Sequence, residues 1–201
     1  DLLRRGAEAL GDRAAWHELG GFSLAEVGAE ELERLWLRGG LPRSFLAQAH
    51  AASAAWRRDY LEAFLERDLP QLGVGVPLAS LRALWKAIAR QSGQLWRPKV
   101  MARSLNASES AVARWLELSA TTGIVRALPA LGAAGAASAA GAARKASPVG
   151  VHVADSGLLH TLLGVETGRQ LEASPLRDAS WRAFALGKIG RAHSELQSHH
   201  P

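Results

Sequence analysis

Two hundred and one residues, 48% of them hydrophobic and 21% charged, are enough to bury a core and too apolar for a disordered chain. The lack of cysteine excludes a disulfide framework, a thiol nucleophile and a cysteine-ligated metal, and it fits a reducing, cytoplasmic compartment. A net charge of +5, from 24 Lys+Arg against 19 Asp+Glu, suits an acidic partner but falls short of the dense basic tracts of a dedicated nucleic-acid binder.

The chain opens Asp1-Leu2-Leu3 without a methionine, which predicts that residues are missing upstream. Trp16 to Val27, with Gly20-Gly21, reads as a strand end and a loop. From Ala29 to Trp36 the spacing of Leu32, Leu35 and Trp36 is helical, and Arg38-Gly39-Gly40-Leu41-Pro42 breaks it. Pro42 suits the first turn of a helix through Phe45, Leu46 and Ala49, because the N–H it lacks would be unpaired there anyway. A longer helix is expected from about Ala54 to Arg67. Trp56, Tyr60, Leu61, Phe64 and Leu65 form its apolar side, Arg57, Arg58, Asp59, Glu62 and Glu66 lie elsewhere, and Pro70 and Gly73 end it. Leu78 to Gln91 makes another, with Leu81, Leu84, Trp85 and Ile88 inward.

Pro98 to Val125 carries the most informative local pattern. A short helix holds Val100, Met101 and Leu105, Asn106-Ala107 turns, and Ser108 caps a second helix that buries Val112, Trp115, Leu116 and Ser119. Gly123 stops it; strands at Ile124–Leu128 and Val149–Val153 follow as an antiparallel pair, with Val149, Val151 and Val153 facing the core. Helix, helix, turn, helix, strand, loop, strand is the order of a winged helix-turn-helix, and the predicted class is mainly α with a small β component. The loop between the strands, Ala127 to Ala143, is built largely of Ala and Gly; it reads as a flexible wing, not a membrane span. Asp155 caps a helix from Ser156 to Leu163, and a further short helix covers Ser180 to Leu186.

Three stretches together resemble prokaryotic AAA-type ATPases that carry domain of unknown function 4143. They are Leu35-Trp36-Leu37-Arg38-Gly39-Gly40-Leu41-Pro42-Arg43-Ser44-Phe45-Leu46-Ala47, Glu66-Arg67-Asp68-Leu69-Pro70-Gln71-Leu72-Gly73, and Asp155-Ser156-Gly157-Leu158-Leu159-His160-Thr161-Leu162-Leu163-Gly164. The resemblance implies a layout: residues 1–28 as the end of the ATPase core, 29–75 as a helical lid, 76–155 as the winged helix and 156–186 as the start of a nuclease-like α/β region. Residues 187–201 leave the pattern and read as a non-native tail. It further implies ATP and magnesium as cofactors of the parent protein, held by the missing core, which is then the first partner. No Gly-x-x-x-x-Gly-Lys-Ser/Thr is present, so no activity is expected from the fragment itself. Arginine at 182, where the family's nuclease-like half carries an acid, argues against nuclease chemistry.

Two sets of candidate contacts follow. Arg38, Gly39, Gly40 and Pro42 are the nucleotide candidates. The glycines allow close backbone approach, and the resemblance assigns the proline to stacking on an adenine. The alternative is a helix-breaking turn before a helix-starting proline. Arg97, Lys99, Arg103, Arg114, Arg144 and Lys145 are the DNA candidates. The helix that would read bases presents Glu109, Ser110, Ala113, Arg114 and Glu117 outward, two acids against one base, so duplex binding is expected to be weak and indifferent to sequence. Arg67 and Asp68 are a nucleotide sensor or an interdomain salt bridge, or else a plain helix C-terminus with a cation that suits the dipole. Asp155 with His160 suggests a hydrolase triad less well than a cap and a surface or lining histidine, and His17, His50 and His152 are isolated, so no metal site is expected.

Overall fold

The computed structural model describes residues 20–71, 75–92, 94–128 and 150–198, with side chains to residue 187. Among them the fold is mainly helical with one small antiparallel sheet, as the class read from the sequence requires. The chain runs through α1 (Leu24–Val27), α2 (Leu32–Arg38), α3 (Pro42–Phe45) and α4 (His50–Ala63). Next come α5 (Leu78–Arg90), α6 (Pro98–Ser104) and α7 (Glu109–Thr121), then strands β1 (Val125–Leu128) and β2 (Gly150–Val153). It closes with α8 (Ser156–Leu163), α9 (Gly168–Glu172) and α10 (Arg177–Ser198).

The helix-turn-helix forms as its signals dictate. Pro98 opens α6, Asn106 takes the left-handed turn at φ 49°, and the Ser108 hydroxyl accepts the Ala111 N–H to cap α7. All four inward residues, Val112, Trp115, Leu116 and Ser119, are buried. The strands pair with Val125 opposite Val153 and Leu128 opposite Gly150, while Leu95 bridges to Gly150 on the other edge of β2. Val151 and Val153 point into the same core as Trp115. Val149 and the Ala/Gly wing, Ala133 to Ala143 included, lie outside the described residues, as do His17, Gly73 and residues 1–19.

Four expectations are corrected. Leu24–Val27 is a helical turn, not the end of a strand, because Ser23 and Glu26 form a reciprocal capping box. Pro70 does not end the long helix. The helix widens into a π-helical stretch at Phe64–Asp68, in which the Leu69 N–H reaches Phe64 O, and this lets a last turn, Leu69–Gln71, accommodate the ring. Arg57 is not on the solvent side of α4: it is 1% exposed. Helix α10 begins before Ser180 and runs in one piece through residues 187–198.

One apolar core joins Leu61, Leu65 and Leu69 to Leu81, Leu84, Trp85 and Ile88 of α5, to Val112 and Trp115 of α7, and to Leu158 and Leu159 of α8. A second holds Leu35, Trp36, Leu37, Phe45, Val165, Leu171 and Phe184. Helix α8 is wedged between α2, α4, α5 and α10, so the segment after β2 is built into the same body as the segment before α5.

Candidate functional site

The Arg38–Pro42 turn sits at the centre of a buried polar joint. Gly39 ends α2 at φ 77°, and the Gly40 N–H donates to Asp155 Oδ2 at 2.7 Å. The other Asp155 oxygen, Oδ1, accepts the Leu158 N–H at 3.0 Å and caps α8, so one carboxylate fixes both the turn and the helix that packs on it. On the opposite side the Phe22 N–H donates to Gly40 O. A β-carbon on Gly39 would overlap the Asp155 carboxyl group, one on Gly21 the Gly40 backbone, and one on Gly157 the Arg38 carbonyl oxygen. The glycines are therefore needed for packing of chain on chain.

Arg38, 5% exposed, donates from Nη1 to the carbonyls of Phe45 (3.1 Å) and Ala47, and from Nε to His50 Nδ1 (3.2 Å). Arg57 donates from Nη1 to the Ser44 and Ser53 hydroxyls at 3.0 and 2.6 Å and from Nε to Thr161 Oγ1 at 2.9 Å. Burial holds both guanidinium pKa values below the ordinary range; for Arg57 the Asp155 carboxylate pulls the other way. Of the four nucleotide candidates, Arg38, Gly39 and Gly40 are thus occupied inside the joint, and Pro42 is exposed at the start of α3.

His160 completes the joint, and the expectation of a surface or lining residue is corrected: it is fully buried. The Trp36 Nε1–H donates to Ser180 Oγ at 3.0 Å, and the Ser180 hydroxyl donates to His160 Nε2 at 2.6 Å. The proton is left on Nδ1, which donates to Leu37 O at 2.9 Å. Burial pushes this histidine down to about 4, so it is neutral in the folded protein. With Asp155 spent on the cap, no triad forms.

Sequence reasoning missed Arg57, His160 and Ser180 as joint residues. For Arg57 a signal existed: Ser53, Arg57 and Leu61 recur every four residues, on one face of α4. Among the described residues Arg67 pairs with its neighbour Asp68 (2.8 Å), on the surface.

The DNA candidates separate. Lys99 and Arg103, one turn apart on α6, share an open cleft of about 730 Å³ with Asn106, Ser108 and Glu109 at the start of α7. Arg97, at the N-cap of α6, and Arg114, on α7, are exposed and do not line it. Arg144 and Lys145 lie outside the described residues. A second cleft, of about 570 Å³, opens beside the joint, between α2 and the segment Gln48–His50 on one side and α9 with Arg177 on the other. Among the described residues no group of His, Cys, Asp and Glu can hold a metal ion, and no helix is long and apolar enough to cross a membrane.

The family model that matches the chain, over residues 29–169, is Domain of unknown function (DUF8612). This overturns the assignment to AAA-type ATPases with domain of unknown function 4143; the three stretches that suggested it all fall inside the matched region. Uncharacterized proteins of Mycobacterium tuberculosis and Mycobacterium bovis are each 40% identical to the chain over 189 residues. That is 94% of this chain and 42% of theirs, so the chain spans less than half the length of the curated relatives it matches. No solved structure matches it.

Proposed function

We propose that this chain, which belongs to the family Domain of unknown function (DUF8612), is a non-catalytic coupling module of a longer ATP-binding protein. In this reading ATP and magnesium are held by the part of the longer protein outside the chain, and that part is the first partner. The observation that carries the coupling role is the Asp155 carboxylate holding the Gly40 turn and the α8 N-terminus together. A displacement felt at the helices before α5 is transmitted to the helix-turn-helix, because α8 packs against α2, α4 and α5 at once. Packed elements of this kind move as bodies and do not deform locally.

The test has two arms. The purified chain should turn over no ATP above a buffer blank with magnesium present. The full-length protein should bind ATP, and deleting residues 76–186 from it should change its turnover without abolishing nucleotide binding. Magnesium-dependent turnover by the chain alone, or a full-length protein indifferent to ATP, would sink the reading.

Weak DNA binding is a second reading, favoured by the cleft that Lys99 and Arg103 share beside α7. Its force would come from phosphate neutralisation, since Arg114 is the one base among the outward residues of α7. A labelled-duplex titration at two salt concentrations should then show steeply salt-dependent, sequence-indifferent binding. Lys99→Ala with Arg103→Ala should remove most of it, and Arg114→Ala little. Affinity that is negligible at physiological salt leaves the coupling role alone.

A further inference from the structure

Residues 69–108 hold six cations, Arg82, Lys86, Arg90, Arg97, Lys99 and Arg103, and no acid, so this stretch alone exceeds the net charge of +5 carried by the whole chain. Arg82 is neutralised by Glu62. Arg97, Lys99 and Arg103 are exposed and have no ion pair among the described residues. Lys99 and Arg103 share the 730 Å³ cleft with one carboxylate, Glu109, the first residue of α7. Charge left open in this way attracts an acidic partner.

Apolar surface lies on the same stretch. Of the five large apolar side chains exposed among the described residues, two are Leu95, at 63%, and Val100, at 49%, with Arg97 and Lys99 between them in the sequence. Neither is carried by a loose loop. The Leu95 backbone bridges to Gly150 on the edge of β2, Trp96 packs against the main core, and Val100 stands in the first turn of α6, which Pro98 opens. The backbone that presents them is fixed before a partner arrives, so little ordering is needed on binding. Contacts to a duplex backbone would use the cations and leave Leu95 and Val100 in water. A peptide with carboxylates around an apolar side chain uses both kinds of group. Helix α7 also disfavours phosphate, since Glu109 and Glu117 are exposed on it.

We infer that the Leu95–Arg103 face docks an acidic segment of a partner protein, with carboxylates set against Arg97, Lys99 and Arg103 and an apolar side chain covering Leu95 and Val100. The inference goes beyond the coupling role, which rests on the joint. It competes with the DNA reading for the same cations, so one experiment separates the two.

The experiment is a fluorescence-anisotropy titration of the purified chain, at physiological salt, against three labelled probes: a glutamate–tyrosine copolymer, polyglutamate of equal length, and a DNA duplex. The copolymer should bind about tenfold or more tightly than either of the others. Lys99→Ala with Arg103→Ala should weaken the copolymer and polyglutamate alike. Leu95→Ser with Val100→Ser should bring the copolymer down to the affinity of polyglutamate and leave polyglutamate itself unchanged. Arg43→Gln, an exposed base on α3, should bind as the parent does. All of these positions are on the surface, and an unchanged unfolding midpoint checks that each variant is folded. The inference is overturned if the copolymer does not bind, or binds no better than polyglutamate, which leaves Leu95 and Val100 without a role. It is overturned if the duplex binds more tightly than the copolymer, which gives the face to nucleic acid. Self-association of the chain alone, seen by sedimentation and abolished by Leu95→Ser with Val100→Ser, overturns it in favour of a second copy.

Discussion

Trp85, in the helix-turn-helix half, is buried in one apolar cluster with Leu81, Leu84, Ile88, Val112, Trp115, Val151 and Val153, with the Ser119 hydroxyl accepting its indole N–H at 2.8 Å. At the joint the buried groups are Arg38, Arg57, His160, Ser44, Ser53 and Ser180, and what holds them is a chain of hydrogen bonds between α2, α3, α4, α8 and α10. The first arrangement tolerates a change of shape at the cost of a cavity. The second fails when one member is lost, because the remaining donors stay buried and unpaired. An apolar core is enough to make a stable module, whereas a satisfied polar joint fixes how the elements meet, which is what a coupling device requires.

The largest effect should come from crowding the joint. Gly157→Ala places a β-carbon over the Arg38 carbonyl oxygen and 2.9 Å from Arg57 Cδ, so backbone must move. We expect a loss of about 3 kcal/mol or more in urea unfolding, enough to leave the chain partly unfolded. Gly168→Ala, whose β-carbon meets nothing within 4 Å, is the control and should be nearly silent. Equal effects from the two would show that the joint is soft. In the apolar half, Leu84→Ala, at a fully buried position, should cost roughly 2–5 kcal/mol with an unchanged denaturant slope.

Acidification should discriminate next. His160 and His152 are both pushed from 6.5 to about 4 by burial, so the folded protein favours their neutral forms. Stability is therefore fully present above pH 6.5. It declines as pH falls from 6.5 toward 4, where the unfolded chain takes up protons that the folded one refuses. The loss at His160 amounts to roughly 3 kcal/mol by the bottom of that window. Chemical denaturation at stepwise pH would show it, and His160→Gln should flatten the slope. A flat profile for the parent chain between pH 6.5 and 4 would mean that His160 meets water.

The two regions were unequally legible for physical reasons. Apolar periodicity reports burial directly, so the inward faces of α5 and α7 and the pairing of β1 with β2 could be read from the sequence. The joint defeats that code: Arg57 and His160 count as polar, and their partners, Thr161 and Ser180, lie 104 and 20 positions away. Asp155 was readable as a cap because that signal is local, but its bond to Gly40 spans 115 positions and carries no pattern. Short motifs misled for a related reason. Arg38–Pro42 encodes a glycine at positive φ followed by a proline at a helix start, a geometry set by local backbone rules and not by a particular site, so it supported a family assignment that the DUF8612 match overturned.

The smallest effect should fall on the surface bridge between the regions. Arg82 on α5 donates through both Nη atoms to the Glu62 carboxylate on α4, and the contact holds the Glu62 pKa below the ordinary carboxylate value and Arg82 above its own. The side chains are 47% and 36% exposed, so water and salt screen the pair. A double-mutant cycle with Glu62→Gln and Arg82→Met should give a coupling of about 0.2–1 kcal/mol, shrinking further in molar salt. The sign with pH is that of a depressed carboxylate: the contribution is present above the ordinary carboxylate pKa and lost as pH falls through the lowered one. The joint and the core predict that removing this bridge leaves the unfolding cooperative, with one transition seen by every probe. Two separate transitions in the double variant would mean that the surface pair, and not the carboxylate of Asp155 or the packing of α8, ties the helix-turn-helix to the rest of the molecule.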